Sequence, residues 1–264
     1  MNSRELFSLS GRRILVTGAA GHLGRELCRY LVADGAVVLA TDIDEEALEA
    51  LRLELDPGGQ ALVTFTCDLS DEGQRISFAR AVSSEVSALD GVVFAAAFVG
   101  TSDLEGWNVE FSRQSLSTWR KALELNLTAP FHLCQLLESL IRRGSSPSIV
   151  NIGSIYGSVA PDWSLYEGLD MSNPAAYGAS KGGLLQLTRW LSATLAPAIR
   201  VNIVSPGGIE RGQVAEFVSR YVAKAPAARM ATEKDIIGAI GYLLGESSSY
   251  VTGRNFVVDG GLTA

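Results

Sequence analysis

The stretch RRILVTGAAGHLGRELCRYLVADG, residues 12–35, contains an apolar run, a glycine-rich turn and an amphipathic segment in direct succession. The apolar run is continuous rather than alternating, as in strands that are covered on both faces. Residues 23–35 have helical periodicity, and Gly35 stands where a helix C-cap is expected. Three glycines permit a tight turn and a close approach of the backbone to a ligand: Gly18, Gly21 and Gly24. The order strand, glycine turn, helix therefore predicts a nucleotide-binding βα unit.

The same alternation of strand and helix continues along the chain. Further apolar runs of strand length lie at 36–42, 61–68, 91–98, 148–154, 199–206 and 254–260. Helical segments separate most of them, for example residues 44–55, which Asp44 is expected to cap. The pattern predicts an α/β protein with a Rossmann-type, doubly wound parallel sheet of about seven strands and helices on both faces. No repeat or Pro/Gly-rich linker interrupts residues 1–264, so a single domain is predicted.

Composition disfavours several classes of protein. The net charge of −7 and the lack of a basic run argue against a nucleic-acid partner. Three cysteines without metal or disulfide spacing predict buried thiols in a reducing compartment: Cys28, Cys67 and Cys134. The sequence begins without the apolar core of a signal peptide, and no apolar run approaches membrane-spanning length. A soluble cytoplasmic protein without a membrane partner is expected.

Acidic residues end the second and third apolar runs. Asp42 is placed to accept hydrogen bonds from both ribose hydroxyls of an adenosine, while Asp44 caps the next helix. A 2′-phosphate would meet like charge at Asp42, and neither neighbour of Asp42 is basic, so NAD is predicted in preference to NADP. Asp68 borders the adenine or caps a helix, and the sequence leaves both interpretations open.

Two long links follow the ends of strands. Residues 98–115 come after the fourth apolar run, and residues 155–173 come after the fifth. Links of this length in a compact domain are usually functional or mobile. Because ligands bind outside the carboxyl ends of strands in open α/β sheets, both links are predicted to wall a substrate site.

The stretch AAYGASKGG, residues 175–183, places Tyr177 and Lys181 on one face of a helix. By itself this pairing is common, and an ordinary surface tyrosine beside a solvated lysine explains it equally well. Two other motifs change its meaning. NIGS ends the fifth apolar run with Ser154 at the ligand-binding edge, and LNLTAP places Asn126 inside a helix, where a polar side chain lowers helix propensity.

The motifs LNLTAP, NIGS, YGASK and VSPGGI (residues 204–209) follow one another in the order used by short-chain dehydrogenases/reductases, and the chain resembles that family from Arg12 to nearly its end. The resemblance implies an NAD-dependent oxidoreductase that interconverts a secondary alcohol and a ketone, assembled as a homotetramer. SIYGSVAPDWSLYEG and SPGGIERGQ more weakly resemble a branch associated with flagellin modification and acidic-sugar pathways. That similarity implies a polar, hydroxylated, sugar-like substrate.

The resemblance also implies residue roles. Tyr177 would be the acid/base, and Lys181 would favour its phenolate and hold the nicotinamide ribose. Ser154 would hydrogen-bond the reacting oxygen, and Asn126 would bind a water that links Lys181 to solvent. The residues expected to bind the cofactor are Gly18, Gly21, His22, Leu23, Gly24, Asp42, Asp68, Leu69, Ala95, Ala96, Tyr177, Lys181, Gly207 and Ile209. His22 and His132 offer no metal set, so no metal is expected.

Several positions depart from the family pattern. The classical branch usually has glycine at the position of His22, whereas here the glycine is Gly21. FAAA at 94–97 replaces the expected Asn-Asn-Ala-Gly, and Arg211 replaces a threonine.

An insertion also separates Ser154 from Tyr177 and leaves Ser164 at the usual distance before the tyrosine. The strand-ending context NIGS favours Ser154. Tyr156 and Tyr166, in the same segment, are interpreted as loop packing.

Two alternative functions remain. A reductase of 3-oxoacyl thioesters would need basic residues near the mouth of the site, for which Arg211 and Arg220 are candidates. A catalytically silent dinucleotide-binding sensor would keep the glycine-rich turn but would not need the four catalytic candidates together, which are Asn126, Ser154, Tyr177 and Lys181. The helix at 177–196 has more leucines than one core-facing stripe needs: Leu184, Leu185, Leu187, Leu191 and Leu195. One face is therefore expected to cover the sheet and the other a partner subunit of the homotetramer; a helix fully buried in a monomer is the alternative.

Overall fold

The computed structural model describes residues 6–100 and 102–264; the first five residues and Thr101, which belongs to the predicted link 98–115, lie outside it. Its seven strands are β1 Arg13–Thr17, β2 Val37–Asp42, β3 Leu62–Thr66, β4 Gly91–Phe94, β5 Ser148–Ile152, β6 Arg200–Pro206 and β7 Asn255–Val258. They form one sheet in the order β3-β2-β1-β4-β5-β6-β7, and every neighbouring pair is parallel. The predicted Rossmann-type sheet is confirmed.

Eight helices connect these strands in the described part of the chain. They are α1 His22–Ala33, α2 Glu45–Leu55, α3 Glu72–Glu85, α4 Leu116–Leu123, α5 Ala129–Ile141, α6 Ala175–Leu195, α7 Ala215–Lys224 and α8 Glu233–Leu244. A π-helical turn, Glu124–Thr128, joins α4 to α5. The predicted boundaries of the first two helices are correct to within two residues at each end.

Two apolar cores cover the two faces of the sheet. Ile14 and Val16 pack in one core with residues of α1 and α8, whereas Leu15, between them, packs in the other with residues of α3, α5 and α6. Successive side chains of a strand point to opposite faces, so a sheet covered on both sides requires apolar residues at consecutive positions. This requirement explains the continuous apolar runs of the sequence.

The ends of α1 and α2 follow local chemistry, as predicted. Gly35 follows α1 with φ +82°, and its N–H donates to Val32 O at 3.0 Å. The Asp44 side chain accepts a hydrogen bond from Ala47 N at 2.9 Å and caps α2. These two ends bound β2, which begins two residues after Gly35 and leads through Asp44 into α2.

The fourth strand is shorter than predicted. β4 ends at Phe94, and the next two backbone N–H groups, of Ala95 and Ala96, donate to Thr17 Oγ1 at 3.1 and 3.2 Å. A side chain of β1 therefore takes the donors that a longer strand would give to its neighbour. The chain turns away from the sheet at this point and opens the edge where β1 and β4 end.

The leucines of α6 belong to the protein's own cores. Leu184 and Leu185 pack with Ile203 of β6, and Leu191 and Leu195 join the core beneath α5. Burial within the chain accounts for four of the five leucines, whereas Leu187 is only partly buried. These four leucines therefore give no support for a subunit-facing stripe, and the predicted assembly stays a prediction.

The three cysteines are buried and free, as predicted. Burial raises the thiol pKa to about 12 for Cys28, about 11 for Cys67 and about 12 for Cys134. Such thiols stay protonated near neutral pH and pack as small apolar groups. Across residues 6–100 and 102–264, no helix combines the length and the apolarity needed to cross a bilayer.

Candidate active site

A cavity of about 710 Å³ opens at the carboxyl edge of the sheet, and we call it the inner cavity. Its volume lies in the range of small-molecule and cofactor sites, and its place matches the ligand-binding edge of open α/β sheets. All the sequence-predicted site residues except Asn126 line it. The glycine-rich turn lies at one end of this cavity, and Tyr177 with Ser154 lies at the other.

Backbone packing shapes the glycine-rich turn. Gly18 has φ +67°, and a Cβ on Gly24 would lie 2.0 Å from the carbonyl oxygen of Gly18. His22 is the first residue of α1 and has no positive φ, so the departure from glycine at this position is accommodated. The spacing of glycines at 18, 21 and 24 thus serves the contact between β1 and α1.

The amino terminus of α1 has no side-chain cap. Gly21 is its N-cap residue, and no acidic residue lies in its first turn. By contrast, Asp44 caps α2, Asp71 caps α3 and a capping box with Thr232 opens α8. The first N–H groups of α1 therefore have no side-chain acceptor at the cap and, with the helix dipole, favour an anionic ligand such as a pyrophosphate.

Asp42 lies at the tip of β2 beside this turn. Its Oδ2 accepts from Ala20 N at 3.0 Å, and its Oδ1 accepts from Ile43 N at 2.8 Å. Arg25, the basic residue that follows the glycines, is directed to Glu54 of α2, with 3.7 Å between Nη1 and Oε2. The carboxylate is therefore fixed by backbone donors, and the neighbouring cation points to another acid.

Asp68 is not a helix cap. Its Oδ1 accepts from the backbone N–H of Ser70 at 2.8 Å, whereas Asp71 accepts from Gln74 N and caps α3. Of the two interpretations that the sequence left open, capping is excluded. Asp68 lines the inner cavity instead, next to Leu69.

Ser154 and Tyr177 meet at the other end of the inner cavity. Ser154 follows β5, accepts from Tyr156 N at 3.2 Å and lies near enough to the Tyr177 hydroxyl to lower the pKa of Tyr177. Ser164, the alternative by sequence distance, bonds Asp162 Oδ1 at 2.7 Å on the exposed side of the inserted segment. The structure therefore brings Ser154, and not Ser164, to the tyrosine.

Small residues make this meeting possible. A Cβ on Gly157 would lie 2.8 Å from the backbone carbonyl of Lys181, and one on Gly178 would lie 3.3 Å from Tyr156 O. A Cβ on Gly182 would lie 3.3 Å from the carbonyl oxygen of Gly157. The turn after β5 and the first half of α6 therefore pack backbone to backbone, which explains the small residues of YGASKGG.

Lys181 is buried, with 3% of its surface exposed. Its Nζ donates to Ile152 O at 2.8 Å and lies 5.9 Å from the centroid of the Tyr177 ring. Burial lowers the pKa of Lys181 to about 8. The protonated amine has three donors, of which Ile152 O takes one, so donors are left for a cofactor. The burial that positions the amine also disfavours its protonated form.

The pKa of Tyr177 differs from the sequence-based expectation. Burial raises it, and the hydrogen bond from Ser154 and the positive charge of Arg211 offset part of that rise. The contribution of Arg211 was not expected from the sequence. The expected role of Lys181 in favouring the phenolate stays a prediction.

Asn126 lies in the π-helical turn between α4 and α5 and is fully buried. Its Oδ1 accepts from Phe98 N at 2.8 Å, and its Nδ2 donates to Phe98 O and to Ser180 Oγ, both at 3.1 Å. Asn126 therefore fixes the segment after β4 to α6, and both of its amide hydrogens are used. A relay water would therefore have to donate to the backbone carbonyl oxygen or to Oδ1 of Asn126, and could not accept from its side-chain amide. π-Turns of this kind occur frequently at functional sites.

Three contacts at the site were not predicted. Thr17 holds the segment after β4, as described above. The Tyr221 hydroxyl accepts from Gly208 N at 2.7 Å and fixes the loop after β6. Tyr156 and Tyr166 were interpreted as loop packing, but their hydroxyls share a hydrogen bond of 2.8 Å and both line the inner cavity. A sequence signal existed for Thr17 alone, which directly precedes Gly18.

The two long links enclose a second cavity, of about 1140 Å³, which we call the outer cavity. Residues 108–114 form one side of it, and residues 161–175 form most of the other. The two cavities share lining residues, including Asn108, Tyr156 and Tyr166. A ligand that reaches Tyr177 is therefore within reach of both links. In the described parts of the chain, no group of three or more His, Cys, Asp or Glu side chains is arranged to hold a metal.

Comparisons with known proteins agree with this geometry. The family model described as enoyl-(acyl carrier protein) reductase matches residues 18–263. Nodulation protein G of Rhizobium sp. (strain N33) is 31% identical and aligns over 97% of this chain and 99% of its own. Cis-4-hydroxycyclohexanecarboxylate dehydrogenase of Sinomonas cyclohexanicum is 31% identical over 96% and 97% of the two chains. The post-translational flagellin modification protein A of Campylobacter coli is 28% identical over 96% and 98%.

Solved structures are similar over the same extent. The RhlG/NADP active-site complex of Pseudomonas aeruginosa superposes with a TM-score of 0.86 and 28% identity over 99% of each chain. A short-chain dehydrogenase of Leptospira borgpetersenii with bound NAD+ superposes with a TM-score of 0.87 and 26% identity, over 100% of this chain and 97% of the other. Both forms of the dinucleotide thus occur among these neighbours.

Proposed function

The chain belongs to the short-chain dehydrogenase/reductase family of oxidoreductases, and from this premise we propose that it is an NAD-dependent enzyme interconverting a secondary alcohol and a ketone. One observation carries the proposal. Ser154, Tyr177 and Lys181 line the same cavity as the glycine-rich turn and Asp42. A donor–acceptor set for a carbonyl oxygen is therefore connected to a site suited to a dinucleotide.

The residues present suit a nicotinamide dinucleotide. The uncapped amino terminus of α1 would take the pyrophosphate, and Lys181 would donate to the nicotinamide ribose. Gly207 and Ile209, on the loop after β6, would border the nicotinamide. When bound, the dinucleotide supplies or accepts the hydride.

The chain's own residues would handle the proton. In reduction, the Tyr177 hydroxyl donates its proton to the carbonyl oxygen, while Ser154 donates a hydrogen bond to the same oxygen and stabilises the charge that develops on it. Since burial raises the pKa of Tyr177, the phenol is protonated near neutral pH and ready for this direction. In oxidation, Tyr177 must first lose its proton, which the charge of Arg211 favours.

The preference for NAD over NADP rests on Asp42. Two unit charges 4 Å apart repel each other by about 4 kcal/mol at an effective dielectric of 20, so a 2′-phosphate beside this carboxylate is disfavoured. The pairing of Arg25 with Glu54 supports the proposal, because it directs the neighbouring cation away from the ribose position.

The substrate we propose is a small, polar, hydroxylated molecule. Asn108, Trp163, Glu167 and Asp170 line the outer cavity and offer hydrogen-bonding groups and an aromatic face. A relative at 31% identity is named for the dehydrogenation of a hydroxycyclohexanecarboxylate, which is a hydroxylated ring. A carrier-bound thioester is less well supported, because Arg220, one of the bases it would need, donates to Glu167 O at 2.6 Å.

A homotetramer in the cytoplasm remains our proposal for the assembled state. Its support is now the large apolar side chains exposed on α5 and α6, Phe131 at 37% and Trp190 at 55%. Light scattering at micromolar concentration tests it: a mass of four chains is expected, and a monomer mass would contradict it.

The activity is tested by following NADH absorbance with a panel of sugars, polyols, secondary alcohols and keto acids. We expect turnover of at least one class with the native protein and none with Tyr177→Phe, while both bind NADH. If the native protein bound NADH but turned over no member of the panel, a dinucleotide-binding sensor would be the better description.

A further inference from the structure

Arg211 lies on the loop after β6 and lines the inner cavity, at the position where the family usually has threonine. The loop is fixed on both sides of it. Arg211 N donates to Gln213 Oε1 at 2.7 Å, and Gln213 Nε2 donates to Ile209 O at 2.8 Å. Ile209 also pairs with Ala231 in an isolated β-bridge. The backbone that carries Arg211 is therefore held in place at the cavity wall.

One edge of the Arg211 side chain is occupied. Its Nε donates to Glu233 Oε1 at 3.0 Å, and 22% of the side chain is exposed. Glu233 is the first residue of α8, where the helix dipole also stabilises a carboxylate. Within residues 6–100 and 102–264, neither Nη group of Arg211 donates to an acceptor. Its terminal donors are thus available for a ligand.

The charges around the cavities are unevenly placed. Asp42 and Asp68 lie at the nucleotide end of the inner cavity, whereas Lys181 and Arg211 lie at the end that contains Tyr177. Lys181 is bonded to Ile152 O and buried. Arg211 is therefore the partly exposed cation of the catalytic end, and its charge reaches Tyr177.

The lining of the outer cavity, unlike the catalytic end of the inner cavity, carries more acidic than basic residues. Its charged lining residues are Glu110, Glu167 and Asp170 against Arg113. An anionic group of a ligand is repelled there and attracted at the catalytic end, while neutral hydroxyl groups suit the outer cavity. A planar guanidinium with free Nη groups is a good partner for a carboxylate.

We propose that Arg211 binds a carboxylate of the substrate, so that the enzyme prefers hydroxy acids and the corresponding oxo acids to neutral polyols and ketones. This inference rests on the proposed function and names the substrate class of the same site. Arg211 is a specificity residue in this role. The proton is still exchanged by Tyr177.

The test compares matched pairs that differ by a carboxylate in place of a hydroxymethyl group: gluconate with sorbitol, glycerate with glycerol, and lactate with propane-1,2-diol. Values of kcat/KM are measured with NAD for the native protein and for Arg211→Gln. We expect the acid of at least one pair to be preferred by about tenfold or more, as is usual for hydrogen bonds between charged groups. Arg211→Gln should remove that preference by raising KM for the acid.

Three further variants separate binding from folding. Arg211→Lys keeps the charge and should keep part of the preference for the acid. Glu233→Gln removes the competing carboxylate and should preserve or increase the preference for the acid. If the ion pair were purely structural, Glu233→Gln and Arg211→Gln would lower the activity to the same extent. Arg80→Gln changes an exposed arginine of α3 and should alter nothing. The Kd of NADH, measured by fluorescence, should be the same in all variants.

The outcomes are distinct. Equal activity on acids and alcohols would overturn the inference and leave the proposed function intact. An increase of the NADH Kd in Arg211→Gln that accounts for its lower kcat/KM would assign Arg211 to the cofactor and also overturn it. Binding of NADH without turnover of any member would overturn the inference and the proposed function together.

Discussion

The two ends of the inner cavity are built in different ways. The nucleotide end is formed mainly by residues 17–42, a βαβ unit that is continuous in sequence, and it presents backbone N–H groups and one fixed carboxylate. The catalytic end collects side chains from the turn after β5, the start of α6 and the loop after β6. Local sequence therefore determines the first end, whereas long-range packing determines the second.

This difference has a functional consequence. Backbone geometry holds the nucleotide end, so a substitution there should change cofactor affinity through steric effects. At the catalytic end the functional groups are side chains with shifted pKa values, such as Tyr177 and Lys181. Substitution of Tyr177 should change turnover and its pH dependence while leaving cofactor affinity nearly intact, whereas substitution of Lys181, which we propose to hold the nicotinamide ribose, should lower both turnover and cofactor affinity.

The largest effect is expected at the catalytic end. Tyr177→Phe removes the transferable proton without changing the packing of the ring, and a single acid/base group typically contributes 10²–10⁴-fold, so kcat should fall by about that factor. The Kd of NADH should not change. Tyr242→Phe is the matched control, because Tyr242 packs against Phe256 away from the inner cavity. Retention of more than about a tenth of the native rate would show that another group supplies the proton.

The converse effect is expected at the nucleotide end. A Cβ at Gly24 would lie 2.0 Å from Gly18 O, so Gly24→Ala should displace the glycine-rich turn and weaken NADH binding by about tenfold or more, which corresponds to about 1.4 kcal/mol. Gly21→Ala, with a contact of 3.3 Å, should have a smaller effect. Gly238→Ala in α8 meets no atom within 4 Å and should be harmless.

Isothermal titration with NADH, together with circular dichroism of each variant, measures this series. Folded Gly24→Ala protein that bound NADH with native affinity would contradict the assignment of the turn to the cofactor. It would also remove the contrast between the two ends of the cavity.

Cofactor choice is the next effect in size. We expect the native protein to prefer NAD over NADP by about tenfold or more in kcat/KM, because of the charge of Asp42. Asp42→Asn keeps an acceptor for Ala20 N but removes the charge, so it should narrow the ratio. Arg25→Gln should leave the ratio unchanged, since Arg25 pairs with Glu54. A native preference for NADP would mean that a cation reaches the 2′-phosphate after all.

The sequence predicted the placement of the glycine-rich turn and of Asp42 almost completely, because the determinants of that placement are short-range; their role in binding a dinucleotide stays a prediction. The glycine spacing, the cap at Asp44 and Asp42 at the tip of β2 all lie within 27 residues, from Gly18 to Asp44. Asp68 needed the structure, since the choice between cap and cavity wall depended on which of two nearby acids bonds the α3 terminus.

At the catalytic end the sequence predicted which residues meet but not what each one bonds. The two hydrogen bonds between Asn126 and the backbone of Phe98 join positions 28 residues apart, and no sequence pattern in either segment predicts them. Likewise, the charge of Arg211 affects the pKa of Tyr177 because the two residues, 34 positions apart in the sequence, line the same cavity. The pKa of a group is set by its surroundings in space, so the sequence motif alone could not reveal the contribution of Arg211.

The smallest effect is a change in pH dependence. The charge of Arg211 lowers the pKa of Tyr177, so Arg211→Gln should raise that pKa. Oxidation of an alcohol needs Tyr177 without its proton, so the acidic limb of kcat/KM should move to higher pH, by less than about one unit because the charge is partly exposed and screened.

A neutral secondary alcohol is the substrate to use, because it makes no charge pair with Arg211. Lys181, with a pKa of about 8, titrates in both proteins and should not produce the difference. Ser154→Ala should shift the limb the same way, since it removes the hydrogen bond that also lowers the pKa of Tyr177. The pH dependence of NADH binding should stay the same in both proteins, because the nucleotide end does not sense this charge. A limb displaced to lower pH, or an equal loss of rate at every pH, would contradict the expected effect of the Arg211 charge on the pKa of Tyr177.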